Sequence, residues 1–151
     1  MRKRCKKLNI TKIQTDLLKD ILNRKGQQWF ISISNDNVTL GSSYQLWVIN
    51  KEDFILDTTI LIHNGVKVIA PKNLLGDFEN AESLVKTDIK RIIDKYTCME
   101  LKLKDDHIYV NEKLLKYYDK DAEFKAVKVN SLVYVYEEDL LVGAVLPVKV
   151  V

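Results

Sequence analysis

The sequence predicts an α+β fold, an antiparallel sheet carrying two or three amphipathic helices on one face. Three observations lead there. Apolar residues repeat at three- and four-residue spacing over 10–22, then alternate with period two over 29–33. Further alternating segments follow, separated by turn residues and short connections. Finally, the nearly uncharged run "DLLVGAVLPVKVV" at 139–151 calls for a sheet in which to bury itself.

The first helix is written in "NITKIQTDLLKDILNRKGQ", where Ile10, Ile13, Leu17, Leu18, Ile21 and Leu22 form one stripe. Thr11 and Gln14 fit a capping box, and Gly26 fits a stop. Strands are predicted at Trp29–Ser34, Val38–Ser42 and Tyr44–Asn50, with a turn at Asn35-Asp36-Asn37. "DFILDTTILIHNGVKVIAP" reads as a hairpin on Asn64-Gly65. Pro71 opens "PKNLLGDF", one or two helical turns. In "LVKTDIKRIIDKY" Thr87 is a candidate N-cap, and Ile89, Ile92, Ile93 and Tyr96 form a second helical stripe. "CMELKLKDDHIYV" is a hairpin turning at Asp105-Asp106, and "NEKLLKYY" a short helix capped by Asn111. The last strands are "AEFKAVKV", "SLVYVYEED" and the closing run, which turns back at Glu137-Glu138-Asp139. Pro147 cannot donate to a ladder and belongs at an edge or irregular point.

With 151 residues, the expected organisation is a basic tail at 1–8 and one domain at 9–151, built from two halves of helix plus strand meander. Apolar residues make up 46% of the chain, too many for disorder. No stretch approaches the length of a membrane span, and no apolar core follows "MRKRCKK". The expectation is a cytoplasmic protein with no membrane partner. Cys5 and Cys98 lack metal or redox spacing and read as free thiols. The net charge is +3, and Arg2, Lys3, Arg4, Lys6 and Lys7 contribute +5 of it, so the body is slightly acidic. Attraction to phosphate would therefore come from the tail or from local faces.

Little points to catalysis. His63 and His107 flank turns without partners at ligand spacing, and the paired acids at 105–106 and 137–139 occupy turns where carboxylates stay solvated. Nucleophile-elbow, phosphate-loop and dinucleotide-binding motifs are absent. The expectation is no catalytic residue, no metal and no cofactor. Tyr117-Tyr118 and the Tyr134/Tyr136 pair could stack on bases, but suit packing better.

Two segments in succession, "TDLLKDILNRKG" and "WFISISNDNVTLGSSYQLWVIN", resemble the opening of a domain of the bacterial DNA sliding clamp, the polymerase III β-subunit. "GVKVIAPKNLLGDF" resembles that family's next strand-to-helix entry, and "LVYVYEEDLLVGAVLPVKV" its final hairpin. The likeness covers about half of the chain. It implies a clamp-like, non-enzymatic protein of DNA replication or repair that holds duplex DNA through phosphates, with helices toward the duplex. The residues it points to are Lys12, Lys19, Arg24, Lys86, Lys90 and Arg91, added to the tail cations Arg2, Lys3, Arg4, Lys6 and Lys7. It also implies a groove at Val145, Leu146, Pro147 and Val148 that receives peptides of polymerases or other replication proteins. A bacterial clamp subunit strings three such domains together, so a ring would require a homo-oligomer. The small size suggests a phage or other mobile element. The alternative is a small protein-interaction or inhibitor module that binds a host protein without touching DNA.

Overall fold

The computed structural model describes residues 8–70 and 74–150; the tail cations Arg2, Lys3, Arg4, Lys6 and Lys7, with Cys5, lie outside them. The α+β class holds. Helix α1 spans Ile10–Leu22 and buries Ile13, Gln14 and Leu17. Its N-cap is Asn9, whose side chain accepts from the Lys12 N–H, rather than the expected Thr11. Gln14 is no capping partner either. Its amide donates to Asp53 O and accepts from Ile55 N at 2.9 Å, tying the following loop to the helix. Arg24 takes the left-handed turn after α1.

Strands β1 (Phe30–Ile33), β2 (Asn37–Gly41) and β3 (Gln45–Asn50) form the expected meander. The expected hairpin on Asn64-Gly65 is absent. Instead Asp57 caps a six-residue helix α2 (Thr58–His63), and Asn64-Gly65 ends it, with Gly65 at φ +92°. An Asn-Gly pair supplies left-handed geometry as readily to a helix end as to a hairpin. The chain then runs through β4 (Lys67–Val68) parallel to β1, the one parallel pairing among the described strands. Within the expected "PKNLLGDF" helix, residues 71–73 lie outside the described residues, and 74–77 form no helix. A 3-10 turn occupies Phe78–Asn80.

The largest correction concerns 87–96. The apolar spacing there predicts a helix, but the segment is strand β6 (Val85–Ile93), which turns at Asp94-Lys95 into β7 (Tyr96–Leu103). Thr87 caps no helix. Its hydroxyl donates to Glu100 O and accepts from Ile89 N, inside a bulge where Asp88 has φ 61°. Val85, Thr87, Ile89, Ile92 and Ile93 are all β-branched, and such side chains favour a pleated surface. After β8 (Asp106–Asn111), Asn111 caps a 3-10 turn at Glu112–Leu115, as the sequence suggests.

Two short strands frame the rest, β5 (Glu82–Ser83) and β9 (Glu123–Ala126), followed by β10 (Val133–Glu137) and β11 (Leu140–Val145). The eight-stranded sheet has the order β4-β1-β2-β3-β11-β10-β9-β5, and the second sheet is β6-β7-β8. The final hairpin is thus locked into the middle of the large sheet, with β11 paired to both β10 and β3. Its turn places Glu138 and Asp139 at φ 52° and 65°, the sign both central residues need to match strand twist.

The main core lies on one face of the large sheet. There Ile13 and Leu17 of α1 and Leu61 of α2 join Ile31, Leu40, Trp47, Ile49, Val133 and Val135, together with Leu101, Ile108 and Val110 from the small sheet. On the opposite face, Leu46, Tyr134 and Ala144 form a smaller cluster under Leu74, Leu75 and Phe78. Cys98 is fully buried, and burial pushes its thiol up, so it stays protonated and inert.

Candidate interaction surfaces

The cations expected to face DNA from two helices lie on different kinds of element. Lys12 and Lys19 belong to α1, and Arg24 follows it. Lys86, Lys90 and Arg91 belong to β6. All but the half-buried Lys12 are exposed, yet several already have partners. Lys90 Nζ is 2.7 Å from Glu112 Oε1. Lys86 donates to Lys120 O and sits over the Phe124 ring. Arg91 lies over Tyr109 and donates to its hydroxyl at 3.5 Å. Lys12 is 3.9 Å from Asp16.

The four residues expected to form a peptide groove are woven into the fold. Val145 is fully buried, Leu146 N donates to Tyr44 O, and Val148 N donates to Tyr109 O at 2.7 Å. The last bond bridges the segment to the small sheet. Leu146 is exposed, and Pro147 lies beyond the end of β11.

Arg91 and Tyr109 belong to a polar group on the outer face of the small sheet. At its centre is Glu100, only 6% exposed. Its Oε2 accepts from Tyr109 Oη at 3.2 Å, and its Oε1 is 3.2 Å from His107 Nδ1. Burial raises the carboxyl pKa, but hydrogen bonds from His107 and Tyr109 and the nearby imidazole charge outweigh it and hold Glu100 below its ordinary value of 4.5. A folded-state pKa lowered in this way stabilises the protein above about pH 4.5, and the contribution is lost as pH falls through the folded value. Urea midpoints of wild type and Glu100→Gln should therefore converge as the pH drops below about 4.5. A gap that stays constant across that range would show the carboxylate charge to be irrelevant.

A third feature is a cleft of about 390 Å³ between α1, the β2–β3 turn and Tyr117. One part of its wall is aromatic and the rest is polar or charged. Trp29 stacks on Trp47 at 5.7 Å between centroids, and Tyr117 meets Trp47 edge-on at 4.9 Å. Two α1 carboxylates stand over this wall, Asp16 accepting from Tyr117 Oη at 2.6 Å and Asp20 from Trp29 Nε1 at 2.7 Å. Burial, then the bond to Asp16 and the charges of Asp16 and Asp20, push the Tyr117 phenol up, so it remains a donor. Among the described residues, Ser32 Oγ, Gln45 Oε1 and Trp47 Nε1 are buried without hydrogen-bond partners. Lys116 and Tyr117 are far in sequence from the rest of the lining at 16–47, Tyr117 lying 101 positions from Asp16, so no local pattern marks the cleft.

The fourth feature is apolar. Leu18 and Leu22 on α1, Ile55, Ile60 and Ile62 around α2, and Val68 on β4 are all exposed. These elements are neighbours. Ile55 is bonded to α1 through Gln14, Gly26 beyond α1 abuts the Asn64 carbonyl at the end of α2, and β4 borders β1.

Among the described residues there is no group of three or more His, Cys, Asp or Glu side chains that could hold a metal. No helix there is long and apolar enough to cross a membrane. No protein-family model, curated protein or solved structure matches the chain.

Proposed function

We propose that this protein is a non-enzymatic interaction module whose partner is another protein. The observation that carries the reading is the set of exposed apolar residues on the adjoining segments of α1, α2 and β4. Single exposed apolar residues are ordinary, but a run of them on adjoining elements marks a contact surface. Leu22 and Ile55 are more than 80% exposed, so the fold itself has little use for their side chains. The surface lies beside the β4 edge of the large sheet, where a two-residue strand offers almost no backbone ladder. Side-chain contact, rather than strand addition, is the mode it suits.

The test places a photo-crosslinking residue at position 22 or 55 and, as a control, at Glu79. Crosslinks to one recurrent protein from 22 and 55, absent from 79 and abolished by Leu22→Glu with Ile55→Glu, are the expected result. The double variant should fold, since exposed substitutions change stability by about 0.5 kcal/mol. Identical products from all three positions would overturn the reading.

A second reading is a clamp-like protein on duplex DNA. It is favoured by the exposed cations Lys86, Lys90, Arg91 and Lys95 on the β6–β7 hairpin. It requires DNA retention that falls steeply with salt and weakens when Lys86, Lys90 and Arg91 are neutralised. A ring closed by strand pairing would have to use β6 or β8, the two edges of the small sheet, because β4 and β5 at the ends of the large sheet have two residues each.

A further inference from the structure

We propose that the cleft between α1 and the β2–β3 turn binds a guanidinium group. Its volume falls within the range of small-ligand sites, about 300–1,000 Å³. Asp16 and Asp20 are one helical turn apart, so both carboxylates face the same side of α1. Each is anchored through Oδ2 to a buried aromatic donor, Tyr117 or Trp29. Among the described residues neither Oδ1 receives a hydrogen bond, and an ionised carboxylate can accept on both oxygens. The site therefore holds two oriented acceptors, and Gln45, whose buried Oε1 has no partner among the described residues, belongs to the same wall.

The aromatic lining favours a cation as well. The chain's own ammonium groups already gather at the Tyr117 ring, Lys116 at 5.1 Å and Lys12 at 5.9 Å from its centroid. Tyr44, 64% exposed, supplies a free ring at the mouth on which a planar cation can stack. Guanidinium fits better than ammonium, being planar, weakly hydrated and forked, so that it can bond two carboxylates while lying against a ring. The lysines at the cleft, Lys19 and Lys116, make no ion pair among the described residues. They work against any incoming cation, and this gives the site a distinctive signature. Removing Lys116 should tighten binding, whereas at an anion site it would weaken it. The inference stands apart from the apolar surface and survives if that reading fails.

The test titrates the full chain with N-acetylarginine amide, with N-acetyllysine amide, and with a short uncharged-flank peptide containing one arginine. The readouts are the indole N–H resonances and backbone shifts of residues 16–20. Saturable shifts with the arginine compounds, at least about ten-fold weaker with lysine, are expected. Asp16→Asn with Asp20→Asn should cost about ten-fold or more, Tyr44→Ala about three-fold, and Lys116→Gln should gain about two-fold. Tyr44→Ala touches no buried hydrogen bond of the carboxylates, so it remains informative if the double Asn variant is poorly folded. An arginine peptide binding about ten-fold more tightly than the amide identifies a protein as the source of the group; equal affinities identify a free small molecule. Equal shifts with lysine and arginine, or no saturation, would overturn the proposal.

Discussion

Replacing Glu137 with Ala should destabilise the protein by about 3 kcal/mol. The side chain looks like part of an acidic turn in the sequence, yet it is 8% exposed and points into the fold. Its Oε1 accepts from Leu8 N at 2.6 Å and its Oε2 from Asp119 N at 2.9 Å. One carboxylate thus satisfies two backbone donors from segments far apart in the chain. Bonds to a charged acceptor contribute roughly 1.5–3 kcal/mol each, and alanine leaves both donors without a partner. For a chain of this size that is roughly 6–12 °C in melting temperature. Glu137→Gln, which keeps one acceptor, should fall between wild type and alanine in urea unfolding. An alanine variant within about 1 kcal/mol of wild type would mean that water or a shifted backbone replaces the carboxylate.

The next largest effect is expected from Gly143→Ala, at about 2–3 kcal/mol. An added Cβ would lie 2.7 Å from Leu46 O and collide with the hydroxyl of Tyr118. Neither neighbour yields easily. Leu46 belongs to β3, whose backbone is held in register by both β2 and β11. Tyr118 is 9% exposed, and its hydroxyl donates to that same Leu46 carbonyl at 3.4 Å. Removing the hydroxyl with Tyr118→Phe relieves one of the two collisions. The double variant should therefore be less destabilised than the separate effects summed, with a coupling of about 1 kcal/mol. Strict additivity, or an alanine accepted at no cost in the unfolding curve, would show that the β3–β11 contact has slack.

Both predictions concern the last hairpin, the part of the fold most legible from the residues. Val133, Val135 and Val145 are fully buried where the apolar alternation places them. Helix α1 was equally legible, because Ile13 and Leu17 carry its stripe into the core. The misread segments have a common physical cause. Ile89, Ile92 and Ile93 satisfy helical spacing, and only their β-branched neighbours and the partner strand β7 decide otherwise. At Asn64-Gly65 the same backbone geometry serves two different structures, and the Asp57 cap upstream decides between them. The interaction surfaces were the least legible. The cleft joins Asp16 to Tyr117, a separation of 101 positions, and no local pattern announces such a meeting. The exposure of Leu22 and Ile55 likewise depends on what fails to pack over them.

The pairing of β3 with β11 bears on how the polypeptide acquires its structure during synthesis. Residues 45–50 must wait for 140–145 before the large sheet can close, and Leu8 is fastened to a side chain 129 positions later. Early on the ribosome, the first helix and meander would exist without their neighbours, leaving half of a sheet edge open. Long-range closure of this kind slows folding and lengthens exposure to misassembly. Nascent chains arrested before β11 emerges should remain protease-sensitive throughout, while those extended past it gain resistance in one step.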